Sequence, residues 1–540
     1  MSGAETAFID RTLLHRLPSL RLRAGRSSGL AELGLPAQLN VASVLLDDAR
    51  NAGMRTALYW RDEAWSLDRL EESARRLANR LIEAHGLVPG NRVLICCPNG
   101  PLLMTTLLAA ALAGLVSVPV APGLRAAEFL QVLRDSRPDL IVATPQGRDA
   151  IGRASTDIGI VPPFLLCEDG DDAGRERLLG RGPLLSRAVP TAAEDPAVML
   201  FTSGSTGRAK ALLHSHRDIV ALTRVFGRRV FSVGPEDIVV GSPSLAFAYG
   251  YGVLFAASLS QGSAIRLIGP AHSQALAEAL EDGACTVLVT APTAYRKLLA
   301  NRAGWRGARL RLAVSAGEPL DAELALAFEQ ASGAHLLDAL GSTELLGPYV
   351  FGRPAVDGAL RRAVPGYELR LVNMPSDPER EKGVGRLAVL GPTGGIWLHE
   401  SDASNAVQDG WTVTGDLARI DVEGNVTLLG RADDMILSAG HTIAAAEIEA
   451  VLAANPDINE AAVIGVPDAE RGTAVVALVR PAQGAVPDAA LALSIMTATA
   501  RHLASWKCPR RIVFCEKLPR TATGKIRRAD LPSLLDQKIE

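Results

Sequence analysis

The alternation of helix and strand patterns constrains the fold of this chain more than any other feature. Ser66 can cap a helix whose apolar residues recur every three or four positions from Leu67 to Leu81, and the strand-like segment RVLICC follows it. Further strand candidates are AVMLF, DIVVGS, AIRLI, CTVLVT, LRLAVS and YELRLV, with helical segments such as HSQALAEALED between several of them. This pattern predicts an α/β fold with parallel strands in layers.

The length and a change in sequence texture indicate more than one domain. A chain of 540 residues exceeds one ordinary hydrophobic core. After GRADDM at 430–435, the segments AAEIEAVLAANPDI, EAAVIGVPD and GTAVVALVRPA predict a helix and two strands, followed by another helix and a basic tail. We therefore predict a large N-terminal domain of αβ-layered subdomains over residues 1–430. A small, mobile C-terminal α/β domain is predicted over 434–540, with a hinge near 431–434.

Composition narrows the classes of partner. With 48% apolar residues, 21% charged residues and a net charge of -3, the chain offers no strong field for nucleic acid or acidic membranes, and neither is expected as a partner. The six cysteines lack C-x-x-C spacing and the N-terminus lacks a secretion signal, which favours the cytoplasm. The apolar segment 101–122 is long enough to span a bilayer, but Gly114 and Pro119 divide it, so we expect a buried helix and strand.

The segment FTSGSTGRAK, residues 201–210, indicates a site for an anion. Its glycines follow an apolar strand pattern, where a tight turn leaves backbone N–H groups and hydroxyls free to bind phosphate. A Walker loop is excluded, because Ala209 stands where the second glycine belongs and Ala211 stands where Ser or Thr would bind magnesium. A Ser/Gly surface loop remains the alternative.

Lysine usage supports the phosphate interpretation. Only seven of the 56 basic residues are lysines, and two of these, Lys210 and Lys525, lie in Gly/Thr-rich motifs. A compact ammonium serves a phosphate as a point charge where a planar guanidinium would not fit.

Four further motifs suit a nucleotide site that also activates an acid. DALGSTE offers a tight turn, a threonine for phosphate and a carboxylate for a hard cation. WTVTGDLARID places Asp416 after a glycine turn, where it can accept two sugar hydroxyls, while GRADD supplies Arg431 and RTATGK supplies Lys525. Each motif alone could be a solvated turn.

Together and in this order, the five motifs resemble those of the acyl-adenylate-forming superfamily, from about residue 40 to the end. This superfamily includes acyl- and aryl-CoA ligases, the adenylation domains of peptide synthetases and firefly-type luciferases. The segments LPAQLNVASVLLD, SPSLAFAYGYG, GPTGG, DGWTVTGD and RADDMILSAG are most similar to benzoate- and 2-aminobenzoate-CoA ligases.

The resemblance implies a two-step reaction that uses ATP, Mg²⁺ and coenzyme A. A small aryl carboxylate attacks the α-phosphate of ATP to give aryl-AMP and pyrophosphate, and a thiol then displaces AMP. The implied ATP and AMP contacts are Thr202, Ser203, Gly204, Ser205, Thr206, Gly207, Lys210, Ala316, Gly317, Glu318, Asp338, Leu340, Gly341, Ser342, Asp416 and Arg431.

Specific roles follow from the same resemblance. Lys525 is the implied catalytic cation between the carboxylate and the α-phosphate, Thr343 touches phosphate, and Glu344 holds Mg²⁺. Lys210 steadies the leaving pyrophosphate, and Asp433 is the hinge about which the small domain rotates so that the thiol can enter.

The adenosine contacts divide between two groups. Asp416 and Arg431 grip the ribose, while Asp338 and the SAGE turn, residues 315–318, line the adenine.

The acid pocket is assigned to Phe247, Tyr249 and Gly250. Aromatic residues make up 4% of the chain but are concentrated in LAFAYGYG, where they could form a wall for a flat ring or simply pack in the core. The resemblance places Tyr249 and the turns at Ala316 and Leu340 beside a planar aryl acid, with Phe247 on the thiol side.

Several positions depart from the family pattern. Ala209 and Ala211 replace Pro and Gly beside the loop lysine. In SAGHTIAAAEIE, His441 and Thr442 stand where relatives carry an aromatic and a polar residue, and Ala446 replaces a proline. Because that segment faces the thiol-transfer conformation in the family, adenylation is better supported than the acceptor.

Alternatives therefore remain. The predicted acceptor is coenzyme A, and the alternatives are a carrier protein's phosphopantetheine arm or an amine or other nucleophile. A non-catalytic nucleotide sensor or scaffold is disfavoured because Lys525, Glu344, Asp416 and Arg431 are all retained. Nothing marks the oxygenase pocket of a luciferase-like enzyme, and a homodimer is left open.

Overall fold

A computed structural model shows the arrangement of most of the chain. It describes residues 6–124, 126–158, 163–166, 179, 181–203, 209–268, 273–300, 309–318, 320–353, 360–373, 383–438, 441–468, 472–521 and 525–535.

Several helices begin at a side-chain cap that the sequence supplies. The longest starts after Ser66, whose side chain accepts a hydrogen bond from the Arg69 N–H, as the sequence predicted. The α-helices are α1 (Ser28–Ala31), α2 (Val41–Asn51), α3 (Leu67–Glu83), α4 (Pro101–Leu112), α5 (Ala126–Ser136), α6 (Pro145–Ile158), α7 (His216–Leu222), α8 (Ser258–Ser260), α9 (Ser273–Glu281), α10 (Pro292–Ala300), α11 (Ala322–Ser332), α12 (Glu400–Ala406), α13 (Ala445–Ala453) and α14 (Ala489–Ala500). Wider π-helical turns extend α7 over Thr223–Phe231 and precede α8 over Gly250–Ala257, and 3₁₀ turns span Leu14–Arg16, Leu20–Leu22, Thr343–Leu345, Ala432–Asp434 and Arg528–Leu534.

The strands include every one that the sequence predicted. They are β1 (Thr56–Trp60), β2 (Glu63–Ser66), β3 (Arg92–Cys96), β4 (Val116–Pro119), β5 (Leu140–Ala143), β6 (Phe164–Leu166), β7 (Pro196–Ser203), β8 (Ala209–Ser215), β9 (Ile238–Gly241), β10 (Ala264–Leu267), β11 (Val287–Thr290), β12 (Leu312–Ala316), β13 (His335–Ser342), β14 (Gly347–Arg353), β15 (Leu360–Ala363), β16 (Glu368–Val372), β17 (Val384–Leu390), β18 (Ile396–Trp397), β19 (Val407–Gln408), β20 (Trp411–Ile420), β21 (Val426–Arg431), β22 (Met435–Ser438), β23 (His441–Ala444), β24 (Ile458–Asp468), β25 (Gly472–Pro481) and β26 (Arg511–Phe514).

Two large mixed sheets form most of the N-terminal part. In the described ranges, one has the order β15-β14-β13-β12-β11-β9-β10-β1-β2 and the other the order β18-β8-β7-β4-β3-β5-β6. Their centres are parallel, since β9 to β13 pair in parallel in one sheet and β3, β4, β5 and β7 do so in the other. The predicted α/β layers are confirmed.

The long apolar segment lies in the core, as predicted. Residues 101–112 form α4, and after a left-handed Gly114 with φ 69° the chain continues as β4. Every residue of α4 is buried, and α4 packs on α2 and α3. Within the described ranges, no helix is both long and apolar enough to cross a membrane.

One strand was predicted correctly but assigned to the wrong type of layer. YELRLV forms β16, which pairs antiparallel with β17 in a separate sheet completed by β19, β20 and β21. Its residues are only half buried, and an antiparallel sheet can leave one face in solvent. The parallel prediction was therefore wrong for this segment.

A smaller C-terminal unit follows 3₁₀ turn Ala432–Asp434. It contains the hairpin β22-β23, the sheet β24-β25-β26, and helices α13 and α14. Two clusters of buried side chains, drawn from residues 436–531, form its core apart from the clusters of the large sheets. The predicted order of helix, strand, strand and helix is confirmed, while hairpin β22-β23 and strand β26 were not foreseen.

Candidate active site

The site is built where parallel strands β12 and β13 end. In open α/β sheets, ligands bind beside the carboxyl ends of parallel strands. Ser315 pairs with Asp338 and Ala316 with Ala339, and the chain then leaves β12 through Gly317, whose φ of 91° is in the left-handed region. Asp338, Ala316 and Gly317 are thereby brought together, as the resemblance implied.

Tyr249 forms a rigid wall beside these strands. Its hydroxyl donates to the Val314 carbonyl at 2.8 Å and contacts the Thr290 carbonyl at 3.4 Å. Burial, and secondarily the charge of Asp338, raise the pKa of Tyr249 well above its ordinary value. The phenol is therefore neutral and bound to backbone, so what Tyr249 can offer a ligand is the flat face of its ring.

Gly250 makes the close packing of this wall possible. A methyl group at Gly250 would lie 2.1 Å from the Ser244 carbonyl oxygen, so a side chain cannot be accommodated without moving the backbone. Phe247 lies one helical turn away and is half buried.

Asp416 and Arg431 face each other on neighbouring strands. They are direct partners in the β20–β21 register, and Arg431 Nη1 donates to Asp416 Oδ1 at 3.1 Å. Asp416 is buried, and its other carboxylate oxygen accepts from the Tyr349 hydroxyl at 3.1 Å. The expected glycine turn before Asp416 is wrong, because Gly415 and Asp416 both lie inside β20.

The structure gives a different reason for Gly415. A methyl group there would lie 2.3 Å from Arg431 Nη2, so the guanidinium crosses directly over the glycine. Burial alone would lower the pKa of Arg431, but the charges of Asp416 and Glu344 outweigh it and hold that pKa above its ordinary value. Arg431 is a fixed cation at this site.

Thr343 and Glu344 lie in a 3₁₀ turn that follows β13. The strand itself continues through Leu340, Gly341 and Ser342, so the tight turn expected in DALGSTE starts only at Thr343. Both Thr343 and Glu344 are half buried. Glu344 interacts electrostatically with Arg431 and Lys525, which places the motif from β13 beside those from β21 and the C-terminal tail.

Lys525 reaches the same place from the C-terminal unit. A methyl group at Gly317 would lie 3.8 Å from Lys525 Cε, so the side chain passes over the end of β12. Partial burial and the like charge of Arg431 lower the pKa of Lys525, against the opposing effect of Glu318, Asp416 and Glu344. The side chain nevertheless keeps solvent access.

The SAGE turn is attached to a helix as well as to a strand. Glu318 accepts hydrogen bonds at Oε2 from Thr293 N at 3.1 Å and from Thr293 Oγ1 at 2.6 Å, which caps α10. The Ser315 hydroxyl is buried and has no hydrogen-bond partner among the described residues. The Glu318 carboxylate therefore positions the turn, a role that the sequence did not reveal.

Only part of the phosphate loop can be located. Thr202 and Lys210 are cross-strand partners on antiparallel strands β7 and β8, while Gly204, Ser205, Thr206 and Gly207 lie outside the described residues, as does the side chain of Ser203. Lys210 Nζ lies 3.4 Å from Asp402 Oδ1 and 5.9 Å from the centre of the Trp397 ring. The loop thus joins two strands, of which β8 was not predicted.

For the predicted hinge and for the start of the segment that departs from the family pattern, the structure describes mainly the backbone. Asp433 lies in 3₁₀ turn Ala432–Asp434 between β21 and β22, and its side chain is outside the described part. The same is true of the side chains of His441 and Thr442, which begin β23, whereas Ala446 is half buried on α13.

The donor set fits a magnesium ion held mainly by a nucleotide. Among the described residues, no group of three or more His, Cys, Asp or Glu side chains could hold a metal by itself. Magnesium is usually bound through one or two carboxylates together with substrate phosphates and water. Glu344 is such a carboxylate. Its turn contacts β8, the strand that carries Lys210, and Glu344 itself interacts with Arg431 and Lys525.

Some supporting residues were missed by sequence reasoning. Tyr349, Thr293, Asp402 and His214 hold the predicted residues from other elements, at sequence separations that carry no local pattern. The helix α7 that follows His214 starts at a capping box of Ser215 and Asp218, which is a local pattern.

The fold and this constellation define an enzyme that binds an adenine nucleotide and activates a carboxylic acid. The AMP-binding enzyme family model matches residues 45–396, and the AMP-binding enzyme C-terminal domain model matches 447–525. The chain belongs to the AMP-binding enzyme family.

Its relatives act on aromatic acids. The chain is 30% identical to a benzoate–CoA ligase of Thauera aromatica over 94% of this chain and 99% of that protein. It is also 30% identical to a p-hydroxybenzoic acid–AMP ligase of Mycobacterium tuberculosis, over 91% of this chain and 68% of that protein. The crystal structure of an anthranilate CoA ligase with anthranoyl-AMP matches with a TM-score of 0.84 and 26% identity, covering 93% of this chain and 98% of that one. The predicted similarity to benzoate- and 2-aminobenzoate-CoA ligases is confirmed.

Proposed function

We propose that this protein is an ATP-dependent aryl-CoA ligase. It adenylates an aromatic carboxylic acid with release of pyrophosphate and then transfers the aryl group to the thiol of coenzyme A. The observation that carries the proposal is the position of Lys525 over Gly317, among Glu318, Glu344, Asp416 and Arg431. Relatives named as aryl-CoA ligases over nearly the whole chain support it.

In the first step, Lys525 provides the charge that the reaction needs. The aryl carboxylate attacks the α-phosphorus, the bond to the β-phosphate oxygen breaks, and pyrophosphate leaves. The Lys525 ammonium lies between the carboxylate and the α-phosphate and stabilises negative charge as it moves between them. Its pKa is lowered by partial burial and by the like charge of Arg431.

Other residues bind and orient the nucleotide. Asp416 accepts the ribose hydroxyls while Tyr349 and Arg431 fix its carboxylate. Lys210, held by Asp402, adds positive charge on the pyrophosphate side. Glu344 would hold Mg²⁺, which when bound neutralises phosphate charge, and Thr343 would contact a phosphate.

A flat ring is the substrate that the wall around Tyr249 suits best. Because the Tyr249 hydroxyl donates its hydrogen to the Val314 carbonyl, it has no hydrogen left to donate to a polar substituent. The ring face instead offers an apolar surface for stacking, and Gly250 allows the backbone behind it to pack closely on Ser244. We propose an aryl acid with Phe247 nearer to the thiol.

We also propose that the thiol step requires rotation of the C-terminal unit. Lys525 occupies the place that the thiol must approach after the adenylate has formed. Domains over 1–430 and 434–540 with a hinge at Asp433 would let Lys525 withdraw, and the separate core clusters of residues 436–531 support this division. Coenzyme A as the acceptor and a cytoplasmic location stay predictions.

Pyrophosphate exchange with a panel of benzoates tests the adenylation step. We expect Mg²⁺-dependent exchange with at least one aryl acid, and a loss of about 10² to 10³ in rate for Lys525→Ala, because one preorganised charge is removed. Lys517→Ala, which removes an exposed lysine of the same domain, serves as the control. ATP binding by the parent protein without exchange for any acid would instead support a nucleotide-binding protein.

The acceptor is tested by competition. Purified aryl-AMP is offered to the enzyme with free coenzyme A and with a phosphopantetheinylated carrier protein. Formation of aryl-CoA supports the proposal. Loading of the carrier with negligible transfer to coenzyme A would favour the carrier-protein alternative. The similarity to a p-hydroxybenzoic acid–AMP ligase is a reason to test it.

A further inference from the structure

The 3₁₀ turn that carries Thr343 and Glu344 is held by all three of its carbonyl groups. The Thr343 carbonyl lies 2.7 Å from His214 Nε2, and the Glu344 carbonyl accepts from Gly395 N at 2.7 Å. The Leu345 carbonyl accepts from Thr393 Oγ1 at 2.8 Å. A turn with three consecutive carbonyls bonded to other elements has a fixed backbone, which sets the direction in which the Thr343 and Glu344 side chains leave it.

Of the three groups that bond to these carbonyls, the His214 side chain is the one that bonds to Thr343. Its ring is fully buried, and because a carbonyl can only accept, Nε2 must carry the hydrogen. A methyl group at Gly395 would lie 2.9 Å from His214 Cε1, so the loop at 392–395 packs directly on the ring. The orientation of the imidazole is therefore set by packing on one side and by the Thr343 carbonyl on the other.

Asp218 ties these supports together. It accepts from Ser215 N and Ser215 Oγ at 2.9 Å, and from Gly394 N at 3.1 Å. It also pairs with Arg26 at 3.0 Å. One buried carboxylate thus joins the start of α7, which follows His214, to the loop that supplies Gly395 and Thr393.

We infer that His214 is a positioning residue for the Thr343–Glu344 turn, which it holds through the hydrogen bond from Nε2 to the Thr343 carbonyl. The inference rests on the proposed function, in which Glu344 holds Mg²⁺ and Thr343 contacts phosphate. It adds a residue that touches neither the nucleotide nor the metal.

The expected consequence is selective for the metal. Loss of a residue that orients a metal ligand commonly costs 10- to 100-fold in metal affinity. The ribose contacts come from Asp416 and Arg431 on β20 and β21, which His214 does not touch. Removing the His214 bond should therefore weaken metal binding and leave AMP binding intact.

The test uses the full chain with Mn²⁺ and the non-hydrolysable analogue α,β-methylene-ATP. Bound Mn²⁺ is measured by electron paramagnetic resonance, AMP affinity by calorimetry and folding by thermal denaturation. For His214→Leu we expect Mn²⁺ binding to be weaker by about 10- to 100-fold, with AMP affinity within about twofold of the parent. His214→Gln, whose amide nitrogen can replace Nε2 as donor, should restore most of the binding.

His216→Leu is the matched control. His216 is also fully buried, and its Nδ1 accepts at 3.1 Å from Val41 N, which belongs to α2 and not to the Thr343 turn. We expect this variant to lose thermal stability but to bind Mn²⁺ as the parent does.

The possible results are distinguishable. Unchanged Mn²⁺ binding in folded His214→Leu would overturn the inference, and so would an equal loss of Mn²⁺ and AMP binding in both leucine variants. If the parent catalyses no exchange with any aryl acid, the proposed function fails instead, whatever the variants do.

Discussion

At the scale of single residues, five charged groups from five segments meet at one place. Lys525 interacts with Glu318, Glu344 and Asp416, and with the like charge of Arg431. Burial first and then the positive charge of Arg431 lower the pKa of Lys525, whereas Arg431 itself stays charged because a guanidinium cannot lose its proton in this range. The site therefore has one cation that titrates and one that does not.

As pH rises, the adenylation rate should begin to fall at a lower pH than it would if Lys525 had the ordinary pKa of a lysine. Lys525 is active as the ammonium, and burial and Arg431 lower its pKa from the ordinary value of 10.5, so the active form is lost earlier as pH rises. The alkaline limb of kcat/KM for pyrophosphate exchange reports this pKa in the free enzyme.

Lys525→Arg provides the control for this limb. A guanidinium stays charged to the highest usable pH, so the variant should be slower but flat across the same range. An alkaline limb at the same pH in Lys525→Arg would assign the titration to another group.

At the scale of elements, α10 and the turn after β12 form one unit. Glu318 accepts from both Thr293 N and Thr293 Oγ1, so the carboxylate caps the start of α10 and holds Gly317 in its left-handed conformation next to Lys525. A carboxylate at a helix N-terminus is also favoured by the helix dipole.

Removing half of this cap should loosen the adenine side of the site. Thr293→Val deletes the hydroxyl that lies 2.6 Å from Glu318 and keeps the side-chain shape. Loss of a cap hydrogen bond costs about 1 kcal/mol, so we expect KM for ATP to rise about fivefold with little change in kcat. Steady-state kinetics of pyrophosphate exchange measure this, and Thr293→Ser should behave as the parent. A change in kcat with an unchanged KM would contradict the positional role.

At the scale of the whole molecule, one ion pair links the tail of the C-terminal unit to the N-terminal part. Arg527 Nη2 donates to Glu128 Oε1 on α5 at 3.0 Å, and both side chains are about four-fifths buried, with 18% and 21% exposed. Arg527 is two residues from Lys525, so this pair favours the orientation in which Lys525 lies over Gly317.

Breaking this pair should affect the two half-reactions differently. Glu128→Gln removes the charge that attracts Arg527, and we expect adenylation to slow by about fivefold, as for a pair worth about 1 kcal/mol. Transfer from purified aryl-AMP to coenzyme A should be unchanged or faster, because the orientation required for the first step is less favoured. Glu72→Gln, which breaks an ion pair within α3, is the control. Equal slowing of both half-reactions would contradict the role of the pair.

The sequence alone determined the elements and the motifs. The strands predicted from RVLICC to YELRLV, which are β3, β7, β9, β10, β11, β12 and β16, are all present. The Ser66 cap starts α3, and Gly114 divides the apolar segment 101–122. These features are local, since a cap, a periodicity or a left-handed glycine is specified within a few residues. The motifs likewise indicated Lys525, Glu344, Asp416 and Arg431, because their residue types suit a phosphate, a metal and a sugar.

Only the tertiary structure decided which distant residues support those motifs and which segments lie next to each other. Gly415 is required because Arg431 crosses it, Tyr349 fixes Asp416 from 67 positions away, and His214 holds Thr343 from 129 positions away. YELRLV looks the same in a parallel or an antiparallel sheet, so its place beside β17 was not readable from its residues. Local patterns record what each segment prefers by itself, whereas close packing between distant segments depends on which atoms the whole fold brings within a few ångströms.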